Sequence, residues 1–582
     1  MNPSLLLIPD RYKAAKLYSQ IPDSGAGDLT FARNSNATRV NSAGLIEKVR
    51  TNLILQSEAF NTTWNVVSMS VTPNTTANPL NAALTADTIT LSAGTIQKYI
   101  EQGIVLSGNF TASVYLKAGT HQFVQFLLGT DPAPFANFDL VNGTASATSS
   151  TASIVAVGNG WYRCSMSFTS VIGTNVIMLG IDSLGATRFL PTASTGTFIA
   201  FGAQLEAGDI ATDYIPTTTA AVSVGITADI PRLDYTGGGC PSLLLEPQRT
   251  NLVTFSEQFD NAAWLKRANI GITANAIVSP DGTTNADKMA VTNASVVDYG
   301  CFQIVASGLN TYSVFAKKAE LDYLFIGFNN DLASEGVFFN LNTGAISSNP
   351  SSYSATITDY GNGWYRCSVY FATNVSYFFI SPSVNGTSFN FSGQSGNGIY
   401  IYGAQAEVGS YVSSYIPTLG ASVTRVSDAA SKTGISSLIG QTEGVAFIDF
   451  VWNGLTGVGG FPRIIELATD SSNYIQLYSI AGTTSWGWDI VNGGVVQFTG
   501  GSTMALGRNK IAIGYKLNDM VIYKNGTLVA SDATCTVPAT SALGVTGLFN
   551  GAGGAQLAAS VNQTLLFTTR LSNAELQSLT AL

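Results

Sequence analysis

Apolar and polar residues alternate with a period of two along most of this chain, and the clearest run occurs twice. In TrpTyrArgCysSerMetSerPhe (161–168), Tyr162, Cys164, Met166 and Phe168 fall on one side of an extended backbone. Trp161, Arg163, Ser165 and Ser167 fall on the other. Residues 364–371 obey the same rule, with Tyr365, Cys367, Val369 and Phe371 opposed to Trp364, Arg366, Ser368 and Tyr370. A period of two predicts strands whose Cys-bearing side faces a core. SerValTyrLeuLys (113–117) and SerValPheAlaLys (313–317) predict two more strands. PheAspLeuValAsnGly (138–143) and PheAsnLeuAsnThrGly (339–344) predict strands running into Asn/Gly turns. Further on, IleAlaIleGlyTyr (511–515) and MetValIleTyr (520–523) flank a LeuAsnAsp turn, and AsnGly at 525–526 closes the next hairpin. Helical signals are short. Residues 11–18 fit two turns, and SerAsnAlaGlu (572–575) is a capping box opening a helix through Leu576 and Leu579. The pattern predicts an all-β protein built of β-sandwiches.

The strand pattern is duplicated. GlyAsnGlyTrpTyrArgCysSer stands at 158–165 and 361–368, ArgThrAsnLeu at 50–53 and 249–252, and TyrIleProThr at 214–217 and 415–418. SerGluAlaPhe (57–60) returns as SerGluGlnPhe (256–259), and GlyAlaGlnLeuGlu (202–206) as GlyAlaGlnAlaGlu (403–407). Trp64 answers to Trp264. A period near two hundred residues is too long for a solenoid, so each copy is expected to be a domain with its own core. The predicted organisation is a docking segment (1–50), repeat one (51–222), a linker (223–249), repeat two (250–422) and an unrelated third β domain (423–582). The triple glycine at 237–239 before Pro241 reads as a turn that reverses the chain into repeat two.

Charge narrows the function. Charged residues make up 11% of the chain, against roughly 25% in an ordinary soluble protein, and the net charge is −9. That balance disfavours nucleic acid and anionic membranes as partners. No apolar run approaches the ~20 residues of a spanning helix, and the first residues lack the basic start of a secretory signal. Assembly in a cytoplasm is therefore expected. The scattered Cys164, Cys240, Cys301, Cys367 and Cys535 are read as reduced, buried thiols.

Catalysis finds little to build with. His121 is the only histidine, which starves Ser-His-Asp, Cys-His and His-rich metal schemes. No carboxylate pair stands out for glycoside hydrolysis, so the chain is expected not to be an enzyme. Trp161 with Arg163, and Trp364 with Arg366, are candidates for stacking on a pyranose, because alternation places them away from the Cys side. The alternative is that each Trp packs under a loop with the Arg stacked on it. Trp486 and Trp488 point the same way along a strand and are candidates for a glycan surface or an intersubunit contact. Asp87, Asp287, Glu206 and Glu407 occupy equivalent places in the repeats. They would either hold a structural Ca²⁺ with backbone carbonyls or accept backbone N–H groups in turns. No other cofactor is expected.

The run from GlyAsnGlyTrpTyrArgCysSer through GlyAlaGln-x-Glu to TyrIleProThr resembles carbohydrate-binding-module-like jelly-roll domains of bacteriophage tail and fibre proteins. AspLeuThrPheAlaArgAsnSerAsnAlaThrArgVal (28–40) looks like the start of the same phage structural proteins. AsnLysIleAlaIleGlyTyr (509–515), TyrLysAsnGly (523–526) and LeuSerAsnAlaGluLeu (571–576) are similar to concanavalin-like, laminin-G-like sandwiches. The resemblance implies two tandem jelly rolls followed by a concanavalin-like sandwich in a virion fibre, spike or decoration protein. It implies attachment to other virion proteins through residues 1–50, host-surface glycans as partners, and a homotrimer by fibre analogy. A decoration protein that binds no sugar, a depolymerase and a bacterial surface adhesin are the alternatives.

Overall fold

The computed structural model describes residues 2–106, 108–128, 134–170, 175–293, 299–328, 333–388, 395–455, 460–546 and 556–582. The fold is all-β, as the alternation requires. Among the described residues the only α-helix is Asn573–Thr580, capped by Ser572 with Glu575 completing the capping box. No helix among them is long and apolar enough to cross a membrane. The chain forms two compact units, one of Val49–Gly225 and one of Met1–Lys48 with Ile226–Leu582.

The smaller unit is the first repeat. Among the described residues it has two antiparallel sheets of six strands each. One sheet centres on Gly108–Ala118, flanked by Trp161–Ser170 and Gly196–Ala207; the other centres on Phe123–Leu128 and Asn175–Gly180. Leu116, Phe126, Phe138, Cys164, Met166 and Phe198 fill the space between them. The Cys-bearing side is thus the core side, and burial pushes the Cys164 thiol up. His121 is buried beside Phe198 and donates from Nε2 to the Phe123 carbonyl at 2.8 Å; burial lowers its pKa.

The larger unit holds the second repeat and a further sandwich. In the repeat, Cys301–Lys318 and Trp364–Ser383 pair along most of their length, from Cys301↔Ile380 to Lys317↔Trp364, and register shifts near 304–311 break the ladder. Such irregularities let one long strand serve both faces of a sandwich. The further sandwich draws strands from three separated stretches. Leu5–Leu7 and Ser242–Leu245 both pair with Ala558–Phe567, and Leu29–Ala32 pairs with Ala429–Thr433. Leu5, Leu17, Phe31, Leu243, Trp452 and Trp486 share its core.

Three expectations change here. Residues 1–50, expected to be a docking segment, do not stand apart, because Leu5–Leu7 and Leu29–Ala32 complete sheets with strands of residues 423–582. Residues 223–249 are not a linker: the triple-glycine turn joins Leu233–Asp234 to Ser242–Leu245 inside the same sandwich. Residues 11–18 are not helical but form a hairpin, Tyr12–Lys13 against Lys16–Leu17, with Ala15 at φ 61° in its turn. Pairing of Leu17 with Leu29 buries Leu17, and that overrides a weak local helix preference. Each repeat is therefore an insertion in the sandwich, closed by a two-stranded neck. Arg50–Asn52 pairs with Val222–Val224, and Arg249–Asn251 pairs with Val423–Arg425.

Candidate functional site

The repeated motifs are chiefly framework. GlyAsnGly in both copies runs through three left-handed residues, with φ of 94, 52 and 77° at 158–160 and 78, 52 and 78° at 361–363. Only glycine and asparagine adopt that region readily, so the motif is the hairpin turn that launches TrpTyrArgCys. Asn251 donates from Nδ2 to Ala404 O (3.1 Å) and Ile416 O (2.8 Å) and accepts from the N–H groups of Val253 and Ala406 (both 3.1 Å). Asn52 makes the equivalent four bonds. Gln204 and Gln405 accept from the N–H of Ile215 and Ile416, which fastens TyrIleProThr to the GlyAlaGln strand.

The sugar-stacking candidates lie elsewhere than expected. Trp161 and Trp364 do face away from the Cys side, but that side is covered as well. Trp161 is buried against Tyr115, Phe201 and Ala86, and Trp364 against Ile46, Phe315, Tyr402 and Tyr415. Trp486 and Trp488 point the same way, into the core of the larger unit, with ring centroids 5.5 Å apart. None of the four offers a ring face to a ligand, because alternation assigns a side without saying what covers it. Arg163 and Arg366 stack over Tyr115 and Phe315.

The carboxylate candidates are occupied by hydrogen bonds. Asp87 accepts the N–H groups of Phe60 (3.0 Å) and Asn74 (2.9 Å), and Asp287 those of Phe259 and Asn275 (both 2.9 Å). Glu206 accepts from Gln204 and from Thr212 N–H and hydroxyl; Glu407 does the same with Gln405 and Ser413. Among the described residues no three His, Cys, Asp or Glu side chains gather as metal ligands. Of the two open readings, these contacts are those of turn-bracing carboxylates. Cys240 is exposed, unlike the other four cysteines.

A cleft of about 240 Å³ opens in the larger unit, on the Trp-x-Arg side of the second repeat. Its wall from the repeat is Tyr360, Arg366 and the Ser413–Ser414–Tyr415 segment; Arg39 and Val40, Asp234, Glu246 and Asn453 complete it. Arg366 extends from Trp364–Ser383, while Tyr360 is set at the hairpin end by its N–H to Trp364 O at 2.9 Å. Burial raises the pKa of Tyr360, against the opposing charge of Arg366. Asp234 is fixed by the N–H groups of Val40 (2.8 Å) and Thr236 (3.1 Å). Glu246 accepts from Arg232 (2.7 Å) and from Ser414 N–H (2.8 Å) and hydroxyl (2.6 Å). Burial alone would raise its pKa, but Arg425 and Arg232 hold it well below the carboxylate range. Below it, Arg33 and Arg232 both reach the buried Asp428. Beside the cleft, Lys48 is clamped between Glu257 (2.8 Å) and Asp281 (2.6 Å), and the Tyr402 and Tyr415 hydroxyls donate to Glu257 at 3.0 Å. The sequence signal for this site was the ThrArgVal echo at 38–40 and 424–426 with ProArgLeuAsp at 231–234, where arginines cluster in a chain poor in charge.

No family model and no curated protein matches the chain. Among solved structures, the Ruminococcus gnavus IT-sialidase CBM40 aligns at 14% identity and a TM-score of 0.22, over 26% of this chain and 92% of its own. The same domain bound to alpha2,6 sialyllactose aligns at 15% identity over the same shares, also with a TM-score of 0.22. A Trypanosoma rangeli sialidase mutant displaying trans-sialidase activity aligns at 11% identity and a TM-score of 0.22, over 88% of this chain and 97% of its own. Scores of this size carry no site, substrate or activity across. The expectation that the chain is not an enzyme is withdrawn beside the alignment of an enzyme over 88% of it, because the premise of that expectation fails. The physical reason is that glycoside hydrolysis needs no histidine, and its carboxylates can come from stretches far apart in sequence, so neither the single histidine nor the lack of a visible pair excludes it.

Proposed function

We propose that this chain is a carbohydrate-binding component of a bacteriophage virion, with the cleft of the larger unit as its sugar site. The observation that carries the carbohydrate reading is the cleft itself. It is a concave space about the size of one pyranose ring, walled by a half-buried tyrosine and by fixed donors and acceptors from several strands. Ring hydroxyls require such a set: Asp234 and the Ser414 hydroxyl as acceptors, Asn453 and Arg366 as donors, and Tyr360 as the apolar face. The virion reading rests on the resemblance of the duplicated motifs and of residues 28–40 to phage fibre proteins. In such a particle many copies, taken here as homotrimers, would turn weak single-site affinity into adhesion to host-surface glycans.

The test is titration of the purified full chain against a glycan panel, beside the Tyr360→Ala variant. Saturable binding that Tyr360→Ala weakens at least tenfold supports the reading; binding untouched by that change removes the cleft as the site. Mass spectrometry of purified particles tests the virion assignment, which fails if the chain is absent from them. Light scattering that finds a stable monomer at micromolar concentration removes the trimer.

A further inference from the structure

Resting on the carbohydrate reading above, we infer that the cleft selects an acidic sugar, a hexuronate whose carboxylate faces Arg366. Each carboxylate at the cleft wall already holds donors. Asp234 takes two backbone N–H groups, Glu246 takes Arg232 and Ser414, and Glu47, on the strand beside Arg39, takes that arginine at 2.8 Å. Arg366 is different. It is only 5% exposed, it forms no ion pair among the described residues, and its guanidinium is held by neutral groups, donating to Ser413 O at 2.7 Å and Ser313 Oγ at 3.2 Å. Its Nε–H has no partner among them.

A buried guanidinium without a counter-charge is costly, and the usual resolution is a paired anion. The neighbouring arginines are paired. Beneath the cleft Arg33, Arg232 and Arg425 share two carboxylates, Asp428 and Glu246. The first repeat supplies a contrast. Arg163, the counterpart of Arg366, also forms no ion pair among the described residues and also has a buried Nε–H without a partner, but its side chain as a whole is only partly buried. In the second repeat, residues 38–40, 234 and 246 close over the equivalent arginine and leave a space of one ring beside it. A carboxylate on that ring supplies the missing charge and suits the planar guanidinium, whereas a neutral sugar supplies hydroxyls alone.

The experiment uses the full chain and three matched pairs of methyl glycosides: the gluco, galacto and manno uronates, each with its neutral parent. Titration calorimetry is expected to show one uronate binding at least tenfold tighter than its parent, with the preference shrinking as salt is raised. Arg366→Gln is expected to abolish the preference, bringing the uronate's affinity down to that of its parent in the same variant. Asn453→Asp, a change at an exposed position on the rim, is expected to weaken the uronate more than its parent, and it keeps the test open if Arg366→Gln does not fold. A parent that binds as tightly as its uronate overturns the inference while leaving the carbohydrate reading standing. Failure of all six glycosides to bind overturns both.

Discussion

Replacing Asn251 by alanine should be among the most damaging single changes in the second repeat. Its side chain is fully buried and joins three segments: the ArgThrAsnLeu strand, the GlyAlaGln strand and the TyrIleProThr loop. Alanine removes four hydrogen bonds and leaves two carbonyls and two N–H groups without that partner. At about 1 kcal/mol per bond the loss is about 4 kcal/mol, at the upper end for point changes. In a domain of this size that is a fall of roughly 10 °C in melting temperature. Because the protein has several cores, the measurement should be local: hydrogen exchange at the Val253 and Ala406 amides, read beside a thermal melt. Asn52→Ala offers an internal replicate, since its four bonds are equivalent, and it should destabilise Val49–Gly225 by a similar amount. A loss below about 1 kcal/mol at both positions would refute the reasoning that this asparagine latches the repeat.

Other outcomes follow from the same contacts. Trp486→Ala and Trp161→Ala should each lower stability by about 3–5 kcal/mol in denaturant titrations while leaving glycan affinity per folded molecule unchanged, because both rings are core; a selective loss of binding would contradict their placement. Lys48→Met should remove a contribution with a defined pH window. Burial works against both charges, yet Asp281 is held below the ordinary carboxylate range by Lys48, and Lys48 is raised by Glu257 and Asp281. The carboxylate part is present above pH ~4 and fades as pH falls below it, and the lysine part fades only above pH ~10. Stability curves of wild type and variant should thus stay parallel near neutrality and converge toward pH ~2. Adding a calcium chelator should not move the melting temperature, since Asp87 and Asp287 brace backbone N–H groups; a fall of several degrees would assign them a metal.

Much of the fold was legible in the sequence. Alternation placed Cys164 and Cys367 on core strands, Asn-Gly pairs marked hairpins, and Ser572 with Glu575 announced the helix. These signals are local. What could not be read was pairing across the chain, because nothing in LeuLeuLeu at 5–7 names Ala558–Phe567 as the strand where Leu5 meets Leu566. The same limit hid the site. Alternation put Arg366 on the right side of its strand, but its importance comes from Arg39, Asp234 and Glu246, which reach it from stretches far away in sequence. The tryptophans misled for a related reason: a period of two separates the faces of a strand and does not say that both are covered.

The two-stranded necks have a consequence for how the protein is made. Strand Leu5–Leu7 leaves the ribosome long before its partner Ala558–Phe567, and Ser4 and Leu566, which bond where the two strands meet, are 562 positions apart. At about 5–20 residues per second that separation is a wait of roughly half a minute to two minutes. Both inserted repeats close their own necks within that interval. Residues 5–7 therefore belong to the last sandwich to close, and until then their apolar side chains depend on whatever else in the cell will shield them.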